Sequence, residues 1–180
     1  MAIYILLVNI IVFTFYVVYV LAHFGIPVNL SITYYTFERR KKGTGLLFPG
    51  LMAFICSTAV PLWIAVTSHA STWGAQFVCL PVTALVCLLA VACSARYKMR
   101  PKLIYFHYGM AIIAAACALS WTMLVAYRVC YILLGILCLM VMAGILTKTL
   151  KKCTLFWLEV AAFYGILITL LVIYLIPVSI

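Results

Sequence analysis

Six long apolar runs, each about as long as a bilayer is thick, determine what this chain can fold into. A hydrocarbon core about 30 Å thick needs roughly 20 residues of α-helix at about 1.5 Å per residue. The runs cover 2–22, 46–66, 77–95, 107–127, 129–147 and 155–177. Because lipid offers no hydrogen bonds to the backbone, each run must satisfy its own amide groups, which favours helices. We predict an all-α integral membrane bundle of six transmembrane helices, in a single transmembrane domain spanning 1–180.

The composition supports this class of protein. Only 8% of the residues are charged and 69% are hydrophobic, whereas a soluble domain carries roughly 25% charged residues. A net charge of +10 would suggest a nucleic acid partner in a soluble protein. Here the charges lie between apolar runs, and no polar face carries base-stacking aromatic residues. We therefore expect no nucleic acid partner.

Basic residues are concentrated in alternate breaks between the runs. The first, third and fifth breaks hold 11 of the 12 Lys and Arg residues: Arg39, Arg40, Lys41, Lys42, Arg96, Lys98, Arg100, Lys102, Lys148, Lys151 and Lys152. The fourth break holds the remaining one, Arg128. Short Lys/Arg-rich loops stay in the cytoplasm. We expect a multi-pass membrane protein with both termini non-cytoplasmic, whose cytoplasmic face attracts anionic membrane lipids.

The longest break, residues 23–45, predicts a short interfacial helix over 32–42. Ser31 is suited to cap its start, and Gly43 is suited to the left-handed position that ends a helix. Aromatic residues in this segment are expected to lie at the depth of the lipid headgroups.

Ionisable residues within or beside the apolar runs are the candidate functional groups, because each must offset the cost of its desolvation. We predict a candidate intramembrane polar cluster on the cytoplasmic side that contains Glu159, His107, His23 and Glu38. Glu159 either pairs with Arg96, Lys98 or Arg100, or binds a proton or a transported cation. His107 either relays protons or simply donates a hydrogen bond to Glu159. Both alternatives remain open at this level.

The face of the helix that follows His107 is rich in alanine. Ala111, Ala114 or Ala115, and Ala118 recur at helical spacing. Small residues at this spacing are typical of helices that pack closely in membranes. The pattern predicts that His107 faces protein and that its helix makes a close contact.

A proline within the second run is a candidate kink. Pro61 cannot donate a backbone hydrogen bond, so the carbonyl of Ser57 is left free. A kink at this position could line a path through the membrane. Transmembrane helices also tolerate proline when neighbouring groups satisfy the freed carbonyl.

No metal or cofactor is predicted. His23, His107 and a carboxylate have the ligand types of a two-His, one-carboxylate site, but they come from separate segments without a metal-binding spacing. The eight cysteines contain no C-x-x-C pair. Cys79 and Cys130 both lie near the expected outer surface, and whether they pair is open.

Two short stretches of the sequence resemble those of other membrane proteins. Phe24 to Tyr35 reads F-G-I-P-V-N-L-S-I-T-Y-Y, and Phe106 to Gly109 reads F-H-Y-G. Together with the basic turn after the first stretch, they resemble a group of small, uncharacterised bacterial polytopic membrane proteins. The resemblance implies a location in a bacterial inner membrane and brings no activity with it.

The leading functional hypothesis is a protein that moves, or helps a partner move, a small solute or ion. The alternatives are a membrane-embedded lipid-modifying enzyme that uses His23, His107 and a carboxylate, and a structural or assembly subunit. We favour the hypothesis without an enzymatic activity, because the metal spacing is absent. The chain is also compatible with a homo-oligomer or with a partner membrane subunit.

Overall fold

The computed structural model describes residues 1–69, 74–96, 102–125, 127–148 and 154–175, which contain helices and no strand. The elements in these residues are α1 (Ala2–Phe24), α2 (Thr33–Arg40), a 3₁₀ turn (Thr44–Leu46), α3 (Leu47–His69), α4 (Gly74–Phe77), α5 (Cys79–Cys93), α6 (Lys102–Val125), α7 (Tyr127–Leu146) and α8 (Leu155–Leu175). Five helices, namely α1, α3, α6, α7 and α8, are long and apolar enough to cross a membrane. The predicted all-α membrane bundle is confirmed.

The predicted third span is divided into two helices. With 15 residues, α5 is about 22 Å long, which is less than the thickness of the hydrocarbon core. The short α4 precedes it, and Val78 between them keeps helical backbone angles (φ −59°, ψ −25°). Pro81 has no N–H group for the carbonyl of Phe77, so the ladder of helical hydrogen bonds is interrupted here. The third apolar run is therefore covered by two helices, α4 and α5, instead of one.

Two other boundaries differ from the sequence pattern. The prediction begins a helix at 107, whereas α6 begins at Lys102 and carries this lysine in its first turn. Hydropathy alone misses such an extension, because a long basic side chain can reach the membrane surface from the end of a helix. At the other end of the chain, α8 ends at Leu175, and 176–177 lie outside the described residues.

Six helices form a closed ring in chain order. Each of α1, α3, α5, α6, α7 and α8 contacts the next, and α8 returns to contact α1. Further contacts join α8 to α3 and to α6 across the ring. The buried face of α1 includes Leu6, Asn9, Phe13, Val17 and Val20 at intervals of three and four residues, the spacing of one helical stripe.

The break after α1 folds back onto the bundle. Within α2, Tyr34 and Phe37 are only 4% and 2% exposed, so their rings pack against the rest of the protein. Phe37 packs against Phe24 with ring centroids 4.8 Å apart. Ser31 does not cap α2; instead, the backbone N–H of Ile32 donates a hydrogen bond of 2.8 Å to the side-chain oxygen of Asn29. The aromatic partners at the end of α1 explain why the segment docks.

Basic residues of two different breaks meet the same segment. The Nε–H of Arg96, after α5, donates a hydrogen bond of 2.6 Å to the hydroxyl of Tyr34 in α2. Arg40, at the end of α2, donates a 2.6 Å hydrogen bond to the carbonyl of His23 and lies 4.4 Å from the centre of the Phe24 ring. The first and third breaks therefore lie at the same end of the bundle.

Candidate functional site

The carboxylate of Glu159 is held by the backbone of a distant loop. Glu159 lies in the second turn of α8, and its Oε2 accepts a hydrogen bond of 2.6 Å from the N–H of Leu30. Leu30 belongs to the segment between α1 and α2 and is buried. A backbone N–H in an apolar interior is costly to leave unbonded. The bond therefore fixes this loop over the end of the bundle.

No basic side chain neutralises Glu159 within the described residues, in which its hydrogen-bond partner is Leu30. The sequence suggested an ion pair with Arg96, but Arg96 donates to Tyr34 instead. Lys98 and Arg100, the other two proposed partners, lie outside the described residues. The second carboxylate oxygen, Oε1, is left without a hydrogen-bond partner among the residues that the structure describes.

His107 lies in α6 and points into the bundle. It is 2% exposed, and its Nδ1 lies 2.9 Å from the hydroxyl oxygen of Ser94, just after α5. The neighbouring Tyr108 packs its ring edge-on against the imidazole, with centroids 5.8 Å apart. His107 and Glu159 line the same cavity. The structure therefore brings these two members of the predicted cluster to one chamber.

This chamber, the inner cavity, has a volume of about 170 Å³. It lies between α3, α5, α6 and α8, and residues 30 and 31 contribute to its lining. Ser31, His107, Tyr108 and Glu159 are the polar lining residues near the end that carries the basic breaks. The remaining lining is almost entirely aliphatic or aromatic. A cavity of this kind favours an apolar molecule with one polar end.

A second cavity adjoins the first. This outer cavity, of about 310 Å³, lies between α6, α7 and α8. The two cavities share seven lining residues, which are Tyr108, Ala111, Ala115, Ala118, Glu159, Ala162 and Ile166. Glu159 thus borders both chambers.

Three of the alanines of α6 border open space on the side that faces α8. Ala111, Ala115 and Ala118 line both cavities, as does Ala162 on the facing side of α8. Ala115 and Ala162 are exposed. Ala111, Ala115 and Ala118 therefore border a gap between α6 and α8, whereas Ala114 is buried and α6 packs against α5.

The other two members of the predicted cluster lie elsewhere. His23 is exposed at the end of α1, where its Nδ1 lies 3.1 Å from the carbonyl oxygen of Tyr19. Glu38 accepts hydrogen bonds of 2.9 and 3.1 Å from the N–H groups of Gly43 and Gly45. These two bonds lower the pKa of the Glu38 carboxyl from its ordinary value of 4.5, with smaller contributions from nearby basic residues. Neither residue lines the inner or the outer cavity.

The proposed proline kink does not line a path. Pro61 lies inside a continuous α3 and is exposed on the outer surface of the bundle, as is Ser57. The Ser57 hydroxyl donates a hydrogen bond of 3.0 Å to the carbonyl of Phe54. Neither Pro61 nor Ser57 lines either cavity. This position therefore lies on the exposed surface of the bundle, away from both cavities.

Sequence reasoning missed three groups at the site. The N–H of Leu30 carries no side-chain signal, and Tyr108 and Trp63 looked like ordinary aromatic residues of a membrane span. Trp63 lines the inner cavity and packs edge-on against Trp121, with ring centroids 5.3 Å apart. The indole N–H of Trp63 has no hydrogen-bond partner among the described residues. The one available signal for Tyr108 was its position within the F-H-Y-G stretch, directly after His107.

Metal-ligating residues are dispersed in the described part of the chain. No group of three or more His, Cys, Asp or Glu residues there could hold a metal ion. The seven cysteines that are described, including Cys79 and Cys130, are free.

Comparison with protein-family models, with curated proteins and with solved structures finds no match for this chain.

Proposed function

We propose that this chain is a membrane transport protein that binds a small, mostly apolar solute beside Glu159 and moves it, or hands it to a partner subunit that does. The observation that carries the proposal is the position of Glu159 between two apolar cavities, with one carboxylate oxygen unbonded to any described residue. An ionisable group inside a membrane is costly and usually serves a function.

The composition of the cavity walls supports an organic solute over a bare inorganic ion. Hard inorganic cations bind to sites with about six or more oxygen ligands. The inner cavity offers the carboxylate of Glu159, the hydroxyls of Ser31 and Tyr108, and the imidazole of His107. Its other walls are apolar, with the indole of Trp63 as the exception. An apolar body with one polar group matches this inventory better.

The gap between α6 and α8 provides a route between the two chambers. Ala115 and Ala162 border it from opposite helices and are both exposed. A solute that enters the outer cavity between α6, α7 and α8 would reach Glu159 and then the inner cavity. In this proposal Glu159 is the polar contact common to both positions.

We further propose that the end of the bundle with the basic breaks is cytoplasmic, so that both termini are outside the cytoplasm of a bacterial inner membrane. The contact of Arg96 with Tyr34 supports a common side for two basic breaks. Anionic lipids would bind this face, at about 1 kcal/mol for each basic residue near the surface. Reporter fusions before Ala2 and after Gly43 test this orientation. Fusions that report the same side of the membrane would refute it.

A lipid-modifying enzyme is less well supported by the site. Such an activity was expected to use His23 with His107, but His23 is exposed and lies outside the cavities. The residues that are brought together, Glu159 and His107, suffice to bind a solute.

The transport proposal is tested with purified protein in vesicles. Gradients of sodium, potassium, tetramethylammonium and 2-phenylethylammonium chloride are imposed one at a time, and membrane current and internal pH are recorded. We expect at least one gradient to drive a flux above that of protein-free vesicles. Glu159→Gln should abolish this flux and Glu38→Gln should retain it, although both variants remove one negative charge.

Glu38→Gln is the control variant. It makes the same chemical change as Glu159→Gln, but at a residue that lies outside both cavities. A flux that persists in Glu159→Gln would refute the proposal. If every gradient gave only the background of protein-free vesicles, transport of these cations by the chain alone would be refuted.

A further inference from the structure

The chemical class of the solute follows from the charge at the site. Glu159 is the one acidic residue that lines either cavity, since the chain contains two acidic residues and Glu38 lies elsewhere. Its Oε2 is bonded to Leu30, and Oε1 is available. No cationic side chain of the described residues compensates it. A cationic group that donates hydrogen bonds would both satisfy Oε1 and balance the charge of the carboxylate.

The walls of the inner cavity specify the other part of the solute. Phe48, Trp63, Tyr108 and Phe163 contribute aromatic rings, and most of the remaining lining is aliphatic. A cavity of about 150 Å³ with such a lining holds a benzene-sized molecule, and this one has about 170 Å³. Aromatic rings also attract organic cations through their π faces.

We infer that the solute is a small lipophilic ammonium compound, with the ammonium group on Oε1 of Glu159 and an apolar or aromatic body in the inner cavity. This inference rests on the proposed function and names the substrate class of the same site. The ammonium N–H groups supply the missing donors and the missing positive charge. The apolar body replaces empty space along α3 and α5.

The competing occupant is a neutral amphiphile such as an alcohol. An alcohol can donate one hydrogen bond to Oε1, but it leaves the charge of a carboxylate uncompensated in an apolar chamber. A carboxylate strengthens a hydrogen bond from either donor, but only the ammonium group also attracts the carboxylate as an opposite charge, and this attraction is strong in an apolar chamber. The structure therefore favours the cation over an alcohol of the same shape.

A binding series with one apolar body tests the class. 2-Phenylethylammonium, 2-phenylethanol and 3-phenylpropanoate are titrated into the purified full chain in lipid nanodiscs, and binding is measured by calorimetry. We expect the ammonium compound to bind about tenfold or more tightly than the alcohol. The carboxylate should not bind. Glu159→Gln should reduce ammonium binding to the level of the alcohol, whereas Glu38→Gln should leave it unchanged.

A second pair of variants keeps the test valid if Glu159→Gln does not fold. Ala115 lines both cavities, whereas its neighbour Ala116 lines neither and is exposed. Ala115→Leu should weaken binding of 2-phenylethylammonium about tenfold by occupying the gap, and Ala116→Leu should have no effect. Equal affinities for 2-phenylethanol and 2-phenylethylammonium would overturn the inference. So would an affinity for 2-phenylethylammonium that changes in neither Glu159→Gln nor Ala115→Leu.

The outcome separates this inference from the transport proposal. Binding of 2-phenylethylammonium that depends on Glu159 but is accompanied by no flux supports the ligand class and refutes transport by the chain alone. Flux of sodium or potassium that depends on Glu159, without binding of the ammonium compound, supports transport and refutes the ligand class.

Discussion

The carboxylate of Glu159 accepts a hydrogen bond of 2.6 Å from the backbone N–H of Leu30, a residue 129 positions earlier in the chain. This contact joins the start of α8 to the loop between α1 and α2. It also leaves one oxygen of the only acidic side chain at the cavities free to meet a solute. The same residue therefore has a structural role and a proposed functional one, and substitutions can separate the two.

Two substitutions of Glu159 should differ in stability. In Glu159→Gln the amide oxygen can still accept the N–H of Leu30, so we expect a folded protein with nearly the stability of the parent. Glu159→Leu leaves that N–H unbonded in an apolar interior, which costs about 1–3 kcal/mol. Thermal unfolding in the same detergent measures the difference. Equal melting temperatures for the two variants would contradict the role of the Leu30 bond.

Glu38 should titrate below its ordinary range. The N–H groups of Gly43 and Gly45 bond to the carboxylate and lower its pKa from 4.5. Because the pKa is lower in the folded state, the stabilisation is fully present above about pH 4.5 and is lost as the pH falls through the folded pKa. NMR of the chain labelled with ¹³C at glutamate carboxyls, in the Glu159→Gln background, follows Glu38 alone. A midpoint at or above 4.5 would be inconsistent with these bonds.

The two glycines that follow α2 should respond differently to substitution. Gly43 has φ of 91° and no atom within 4 Å of an added Cβ, so Gly43→Asn should be tolerated, since asparagine accepts left-handed angles. At Gly45 an added Cβ would lie 2.8 Å from the carbonyl oxygen of Tyr34. Gly45→Ala should therefore displace α2.

Limited proteolysis measures this displacement. The exposed basic residues at 39–42 are trypsin sites, and we expect several-fold faster cleavage there in Gly45→Ala than in the parent. Gly43→Asn serves as the control with a substitution two residues away. Equal cleavage rates in all three proteins would show that Gly45 does not support the docking of α2.

A buried hydrogen bond between α6 and α3 should contribute to stability. The indole N–H of Trp121 donates to the hydroxyl oxygen of Thr67 at 2.8 Å, and that hydroxyl lies 2.8 Å from the carbonyl oxygen of Trp63. Thr67→Val preserves the shape and removes the acceptor, so we expect a loss of about 1–3 kcal/mol. Ser68→Ala, at the exposed neighbouring position, should change stability by less than about 0.5 kcal/mol. Thermal unfolding followed by tryptophan fluorescence distinguishes them.

Filling the gap between α6 and α8 should be harmless to folding. Ala115→Leu adds its side chain to open space, so we expect a change in stability within about 0.5 kcal/mol. If the alanines made a close helix contact, the larger side chain would cost about 1–3 kcal/mol. Chemical unfolding of Ala115→Leu beside Ala116→Leu measures this cost. A large loss of unfolding free energy in Ala115→Leu, without a similar loss in Ala116→Leu, would contradict an open gap at this position.

The amino-acid sequence predicted the class of fold because hydrocarbon imposes a simple requirement on length and polarity. A span needs roughly 20 apolar residues whatever its neighbours are, so α1, α3, α6, α7 and α8 are legible from hydropathy alone. The division of the remaining run into α4 and α5 was not predicted. It depends on a local interruption at Pro81 that a count of apolar residues does not detect.

The candidate site was predicted in part. Glu159 and His107 were identified because ionisable residues are rare in a membrane span, and both line the inner cavity. His23 and Glu38 were grouped with them because all four fall at the same depth in the sequence pattern. Depth does not specify position around the ring, and both residues are engaged locally instead.

By itself, the sequence determined the apolar spans and the alternation of basic breaks, because both follow from the cost of placing charge or unbonded backbone in oil. The tertiary structure alone decided that Glu159 binds Leu30, that His107 meets Ser94, and that the alanines of α6 border a gap. The physical reason is that these helices are apolar on every side. With no polar face to orient a helix, its rotation is set by the packing of side chains against its neighbours.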